Sequence, residues 1–319
     1  MSDLRLSLSC GYYDRTVPLL AGLVKPEGID LDLPPLQPGG GMGSPDADVY
    51  EMPAAAMIIR RARTNSHIGV AVFPKRTFFQ QLILTRRDAP LERFEDLRGK
   101  NVGLLNWYQH AMGIWTRGHL QDAYGIAPEE MRWFTQREMP YPLAESSPVQ
   151  ITVLPPEVDQ VQMLLDGRID VLIHESAHRF LRQHPRLRRM FPDHREGEIA
   201  YFRQTGCFPI NHTLCVRREI IESHPWVAGA LLRAFEESKA TSLDVMERNN
   251  AVVSTPWMDD LLEAHNELAG PDVYPYGLER NRTQLETLVR YLHEQGLIPA
   301  RLALEEIFAP DEVTVGAPD

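Results

Sequence analysis

The sequence predicts an α/β chain folded as two lobes, and three observations carry that reading. Alternating apolar runs and helical spacing take turns from the first residues, giving strand, helix, strand, the start of a parallel sheet. The opening arrangement of strand, polar aromatic turn and helix recurs at 102–124. β character then returns at 208–216, which would carry the chain back into the first lobe. At 319 residues there is enough chain for two cores, given domains of about 100 to 200 residues.

Leu4-Arg5-Leu6-Ser7-Leu8 alternates as a strand and runs into Ser9-Cys10-Gly11-Tyr12-Tyr13-Asp14-Arg15-Thr16. A turn there presents backbone N–H groups and the side chains of Tyr12, Asp14 and Arg15 at a strand's carboxyl end, where open α/β sheets place ligands. An ordinary turn with Asp14 as helix cap would use the same residues. Residues 17–24 read as a short helix and 29–33 as a second strand, and 34–46, rich in Gly and Pro, read as a loop. The strand at 48–52 places Glu51 at another strand end, ahead of helical spacing at 53–63. Apolar β runs at 67–73 and 79–85 flank Pro74-Lys75-Arg76.

From residue 86 a new unit begins. A short helix delivers the chain to a strand at 102–105, then Asn106-Trp107-Tyr108-Gln109-His110 and a long helix at 111–124 stopped by Gly125. Strands at 150–154 and 168–173 follow a loop at 135–149, and a helix bearing Val161, Leu164 and Leu165 separates them. His174-Glu175 then stand at a strand end, and the Arg-rich segment 180–191 reads as a solvated face. A periodic helix from Pro225 carries the stripe Val227, Leu231, Ala234, Phe235 and Ser238. Helices at 257–269 and 282–295 complete the chain and are expected to pack on the first lobe.

A net charge of −11 argues against a nucleic-acid or anionic-membrane binder, so an anionic ligand would be held by a few local cations. The N-terminus lacks a basic n-region and an apolar h-region, and no run approaches the roughly 18 apolar residues of a membrane span, so a cytoplasmic protein is expected. Cys10, Cys207 and Cys215 are odd in number and have no CxxC spacing, which points to reduced packing thiols. His174-Glu175-Ser176-Ala177-His178 matches HExxH, with Glu198 downstream as a third ligand, but the zinc reading needs both histidines on one helix face and the residues before His174 are strand-like. No dinucleotide-binding, Walker or GxSxG pattern is present.

Taken together, Tyr13-Asp14-Arg15-Thr16, Glu51-Met52, Val72-Phe73-Pro74-Lys75-Arg76, Gly206-Cys207-Phe208-Pro209-Ile210-Asn211-His212 and Pro275-Tyr276-Gly277-Leu278-Glu279-Arg280-Asn281-Arg282 resemble the 4,5-dihydroxyphthalate decarboxylase family. Glu95-Asp96-Leu97-Arg98-Gly99-Lys100 is shared more widely across its fold. The resemblance spans 4–308 and implies a type 2 periplasmic-binding-protein-like fold with two crossover strands. The lobes expected are 1–82 with 208–319, and 83–207, with the ligand between them. Two departures stand out: the glycine-rich stretch 37–47 replaces what looks like a helix in relatives, and His174-Glu175 occupy a turn that is usually less polar.

The resemblance implies a carboxy-lyase acting on a hydroxylated, phthalate-like aromatic acid by ring protonation and CO2 loss. Such a site needs a carboxylate clamp, an acid at the ipso carbon and a group that holds the phenolic proton. Arg15 and Arg76, helped by Lys75, are expected as the clamp, and His212 or His110 as the acid. Glu51 or Glu175 would polarise the hydroxyl, and Tyr12, Trp107 and Tyr108 would flank the ring, beside Asp14, Asn106 and His174. No organic cofactor is expected; a divalent metal and a homo-oligomer are left open. The partner is a small aromatic carboxylate, with no nucleic acid and no membrane. A solute-binding protein for an anionic or aromatic ligand, or another lyase or synthase on the same fold, are the alternatives.

Overall fold

The structure is a computed structural model and describes residues 3–33, 43–248, 253–272 and 274–312. The chain divides into two compact units, one of residues 1–76, 210–285 and 302–319, the other of 77–209 and 286–301. Among the described residues eleven strands form two sheets.

In the first unit the sheet contains β1 (Leu4–Ser9), β2 (Ile29–Asp32), β3 (Val49–Pro53), β4 (His67–Val70) and β11 (His212–Arg217), in the order β2-β1-β3-β11-β4. β1 runs parallel to β2 and β3, as the strand-helix-strand pattern requires. β11 arrives from the second unit and lies antiparallel to both β3 and β4. That places β3 centrally, and its residues from Val49 to Met52 are all buried. Helix Val227–Arg248 buries the stripe read from its sequence, Val227, Leu231, Ala234, Phe235 and Ser238. Ser238 does more than fill space: its hydroxyl donates to the Arg15 carbonyl at 2.9 Å and accepts from the Leu19 amide at 3.1 Å, which locks the opening turn to this helix.

In the second unit β5 (Ile83–Arg86), β6 (Asn101–Leu104), β7 (Arg132–Thr135), β8 (Gln150–Val153), β9 (Val171–Ile173) and β10 (Leu187–Arg189) form a sheet in the order β10-β5-β9-β6-β7-β8. Helix Ala111–Tyr124 ends at Gly125, which takes the left-handed conformation at φ 59°. The pattern β7-β6-β9-β5 repeats β2-β1-β3-β11 of the first unit, with β5 as its antiparallel member.

Four elements differ from the sequence reading. The Arg-rich segment is not wholly a solvated face: Arg182 and Arg186 are exposed, but β10 lies inside it and pairs with β5. Arg188 donates to the carbonyls of Ala89, Leu91 and Met190, so a side chain that looked solvated ties down the sheet edge. β7 and helix His194–Thr205 were not read from the sequence at all. Residues 286–301 group with the second unit, whereas all the C-terminal helices were expected on the first lobe. The reason is a close approach: the Tyr291 ring lies where a Cβ on Gly118 would be 2.3 Å away, and Gln295 accepts from Arg117 Nε at 2.8 Å. Part of the glycine-rich stretch 37–47 lies outside the described residues; from Gly43 onward it runs beside β3, where the Gly43 amide donates to the Glu51 carbonyl at 3.0 Å.

Candidate functional site

A glutamate in a strand that is buried on both faces has to be compensated by donors. Glu51 is fully buried, and three donors converge on its carboxylate. The Gly11 amide donates to Oε2 at 2.6 Å, the Tyr13 hydroxyl to Oε1 at 2.7 Å, and Nδ1 of His212 lies 2.5 Å from the same Oε1. Strand register explains the last contact. His212 of β11 faces Pro53 of β3, and Glu51, two residues back, lies on the same side of the sheet as its diagonal neighbour. The Gly11 and Tyr13 contacts come from the turn that follows β1, which is β3's other neighbour.

The turn itself is shaped by Thr16. Its hydroxyl donates to the Gly11 carbonyl at 2.8 Å and accepts from the Tyr13 amide at 2.9 Å. Gly11 is needed because the Tyr13 ring lies over it: a Cβ there would sit 2.7 Å from the ring. Asp14, read as a cap or a ligand contact, is exposed and accepts from the Arg15 amide and guanidinium instead.

Burial alone would push the Glu51 carboxyl up, but the bonds from His212, the Gly11 amide and the Tyr13 hydroxyl outweigh it and hold it below the usual carboxylate range. It is therefore an anion at neutral pH. Burial and that anion push the Tyr13 phenol up, so it remains a donor. The Cys10 thiol is pushed up for the same two reasons and stays protonated. An ionised Glu51 accepts from His212, so Nδ1 carries a proton and Nε2 is the ring atom left for exchange with a ligand.

The cations expected as a clamp are built into the first unit. Arg15 donates through Nε to the Pro74 carbonyl at 2.7 Å, through Nη2 to the same oxygen, and through Nη1 to Asp14 at 2.7 Å. Its guanidinium lies over the rings of Tyr274, at 4.1 Å, and Tyr13, at 4.7 Å. Arg76 is 3% exposed and donates to Gln284, the Pro275 carbonyl and Asn281. Two of the motifs quoted above, Phe-Pro-Lys-Arg and Pro-Tyr-Gly-Leu, thus meet through one guanidinium, which burial lowers to about 10. Lys75 lends its backbone carbonyl to the amides of Asn211 and His212, at 2.9 and 3.2 Å, which sets where β11 begins. Tyr12 is half-buried beside Tyr13.

The second unit assembles the other candidates at the ends of β6 and β9. Asn106 adopts φ 62°, a left-handed conformation that asparagine tolerates better than most residues, and its carbonyl accepts from the Gln136 and Arg137 amides. Trp107 is half-buried. Nε2 of His110 lies 3.7 Å from Glu175 Oε1, and Nδ1 of His174 accepts from the Ser176 amide at 2.9 Å. Burial lowers the His174 ring despite Glu175 and Asp159 nearby, so it is a neutral imidazole with its proton on Nε2. Tyr108, expected to flank a ligand ring, is fully buried instead. Its ring is covered by the Arg117 guanidinium at 3.7 Å, and its carbonyl accepts from Arg117 Nη2 at 2.8 Å.

The helix at Ala177–Gln183 begins after His174, so the two histidines of the HExxH pattern do not share a helix. Among the described residues no group of three or more His, Cys, Asp or Glu side chains is arranged to hold a metal ion, and no helix is long and apolar enough to cross a membrane. Sequence reasoning gave Glu51 and His212 a part in the site but gave none to Tyr13, Gly11 or Thr16, though it placed them in the opening turn. The signal available was a glycine directly before two tyrosines, which does not say which ring turns inward.

No protein-family model matches the chain. It is 32% identical to a 4,5-dihydroxyphthalate decarboxylase of Comamonas testosteroni, over 97% of this chain and 98% of that protein. A protein of the same name from Pseudomonas putida is 27% identical over 64% of this chain and 83% of its own length. Among solved structures, a putative periplasmic sulfonate-binding protein of Methylobacillus flagellatus KT superposes with a TM-score of 0.56 at 12% identity, covering 97% of this chain and 92% of that one. The periplasmic aliphatic sulphonate-binding protein of Escherichia coli also gives 0.56, at 16% identity and 97% and 98% coverage. At such identities these structures speak to the fold alone, which is that of the periplasmic binding proteins.

Proposed function

The chain belongs to the 4,5-dihydroxyphthalate decarboxylase family, and from that premise we propose that it is a carboxy-lyase that removes CO2 from a dihydroxylated aromatic dicarboxylate, with His212 as the proton donor. The observation that carries the assignment of the acid is the Glu51–His212 pair: a buried anion 2.5 Å from Nδ1 fixes the ring's tautomer and orientation and favours a proton on the opposite nitrogen.

In 4,5-dihydroxyphthalate each carboxylated carbon has a hydroxyl para to it. Electron density from that oxygen builds up at the ipso carbon, which takes the proton from His212 Nε2 and becomes tetrahedral. The bond to the carboxylate then breaks, its electrons restore aromaticity, and CO2 leaves; the ring nitrogen is reprotonated from solvent. One proton is consumed per turnover, and the chemistry draws on no redox step.

In this mechanism Glu51 acts on His212 and not on a substrate hydroxyl, because both of its oxygens are already occupied by protein donors. Arg15 is the cation proposed to meet a substrate carboxylate, with Lys75 beside the start of β11 and the buried Arg76 adding positive charge. His110, with Glu175 at 3.7 Å, is the second candidate for the acid.

The test is incubation of the purified protein with 4,5-dihydroxyphthalate in D2O, following CO2 and the product by NMR. The expected product is a dihydroxybenzoate carrying one deuterium at the carbon that lost its carboxylate. Binding of the dicarboxylate without CO2 release would mean a solute-binding protein and overturn the proposal.

A further inference from the structure

Oε1 of Glu51 serves two donors at once, the His212 ring at 2.5 Å and the Tyr13 hydroxyl at 2.7 Å. These donors compete. Charge that Glu51 places on the phenol hydrogen is not available to the imidazole, and the more strongly Tyr13 donates, the weaker a proton acceptor Glu51 becomes toward His212. The arrangement is held rigidly: the Gly11 amide fixes Oε2, the Tyr13 ring lies against Gly11, and Thr16 ties the Tyr13 backbone.

We propose that Tyr13 is a positioning residue whose hydroxyl, through Glu51, sets how tightly His212 holds its proton and so the pH range in which His212 acts as an acid. This rests on His212 being the donor of the proposed reaction. The titratable and charged groups that act on Glu51 and Tyr13 are Cys10 and Arg15 from the opening turn and His212 from β11, and before β11 it is the Lys75 backbone carbonyl that accepts from the His212 amide. Tyr50, Arg60 and Cys215 make their own contacts along the neighbouring positions of β3 and β11, through the Arg60–Tyr50 bond and the contact of Cys215 Sγ with the Tyr50 carbonyl.

Tyr13→Phe keeps the ring that covers Gly11 and removes only the hydroxyl. Glu51 then places more charge on His212, and the imidazolium becomes more stable. The expected result is a rise of about half to one pH unit in the His212 titration, a fraction of what one hydrogen bond to a charged group is worth because the change reaches His212 only through Glu51. The high-pH limb of kcat/KM, where the acid loses its proton, should move up by the same amount. The His212 ring resonance, assigned by its loss in His212→Gln, gives the titration without substrate, with the other histidines as internal reference.

An upward shift by NMR with no CO2 release would uphold the tuning and overturn only the decarboxylase reading. A His212 titration that stays within about a tenth of a unit, or moves down, overturns the inference. Should Tyr13→Phe fail to fold, 3-fluorotyrosine at position 13, a more acidic phenol of nearly the same shape, is expected to move the titration down; no shift there overturns it equally.

Discussion

Replacing Glu51 by Gln keeps the shape of the side chain and changes what it offers. The carboxylate accepts from three donors, Gly11, Tyr13 and His212, whereas an amide has one acceptor oxygen and one NH2 group. The Gly11 amide cannot turn, so the oxygen must stay at the Oε2 position and the NH2 group must take the Oε1 position. Tyr13 and His212 then have to accept, which moves the imidazole proton from Nδ1 to Nε2 and leaves the Tyr13 O–H in search of a partner. Exchanging three bonds to an anion for neutral ones, with one donor left over, is worth about 1–3 kcal/mol once the relieved burial of the charge is counted. The imidazole can no longer carry both protons next to an NH2 group, so it is a poor acid, and turnover should fall by about 100- to 10,000-fold. Urea unfolding and CO2 release on the same preparation read both effects.

The pH dependence carries the sign. Glu51 is held below its ordinary range in the folded state, so its stabilisation is present above the unfolded value, about 4.3, and is lost as pH falls through the lower folded value. The stability gap between wild type and Glu51→Gln should therefore narrow on acidification from neutral pH. A variant that turns over within a few-fold of wild type, or a gap that widens in acid, would refute the reasoning.

Gly11→Ala should force the Tyr13 ring off its seat, since the new Cβ would lie 2.7 Å from it; a stability loss of about 1–3 kcal/mol is expected by calorimetry, and no loss would mean the ring has room to move. Arg117→Ala removes a fully buried guanidinium from between Tyr108 and Gln295 in the second unit, and unfolding free energy should drop by about 3 kcal/mol or more; a change below about 1 kcal/mol would show that the site collapses without it. Arg15→Ala should raise KM for the dicarboxylate about 10-fold or more with a smaller change in kcat, as steady-state kinetics would show, and an unchanged KM would remove Arg15 from the carboxylate.

Where periodicity and strand ends decide the structure, the sequence was readable. Helix Ala111–Tyr124 and its glycine stop, the buried stripe of the helix Val227–Arg248, and the position of His174 just past a strand end all follow from local pattern, whereas Glu51, read at a strand end, is the third of the five residues of β3. What could not be read is pairing across distance. Glu51 and His212 are 161 positions apart and meet only because β11 returns beside β3, and no local signal ties the register of His212 to Pro53. The choice between Tyr12 and Tyr13 depends on the direction of one turn, set by Thr16. Tyr108 looked like a ligand contact because it follows a strand, yet it is consumed by Arg117, a cation inside a helix whose burial its own sequence hides. The short edge strand β10 was concealed by arginines that donate to backbone carbonyls instead of facing water.

The central claim is that His212, held by Glu51, delivers the proton to the ring. It is tested most directly by kcat for CO2 release from 4,5-dihydroxyphthalate by His212→Ala and His110→Ala beside wild type. The account expects kcat of His212→Ala to fall by about 100- to 10,000-fold while His110→Ala stays within about tenfold of wild type. Turnover by His212→Ala within a few-fold of wild type, or an equal collapse in His110→Ala alone, would contradict it.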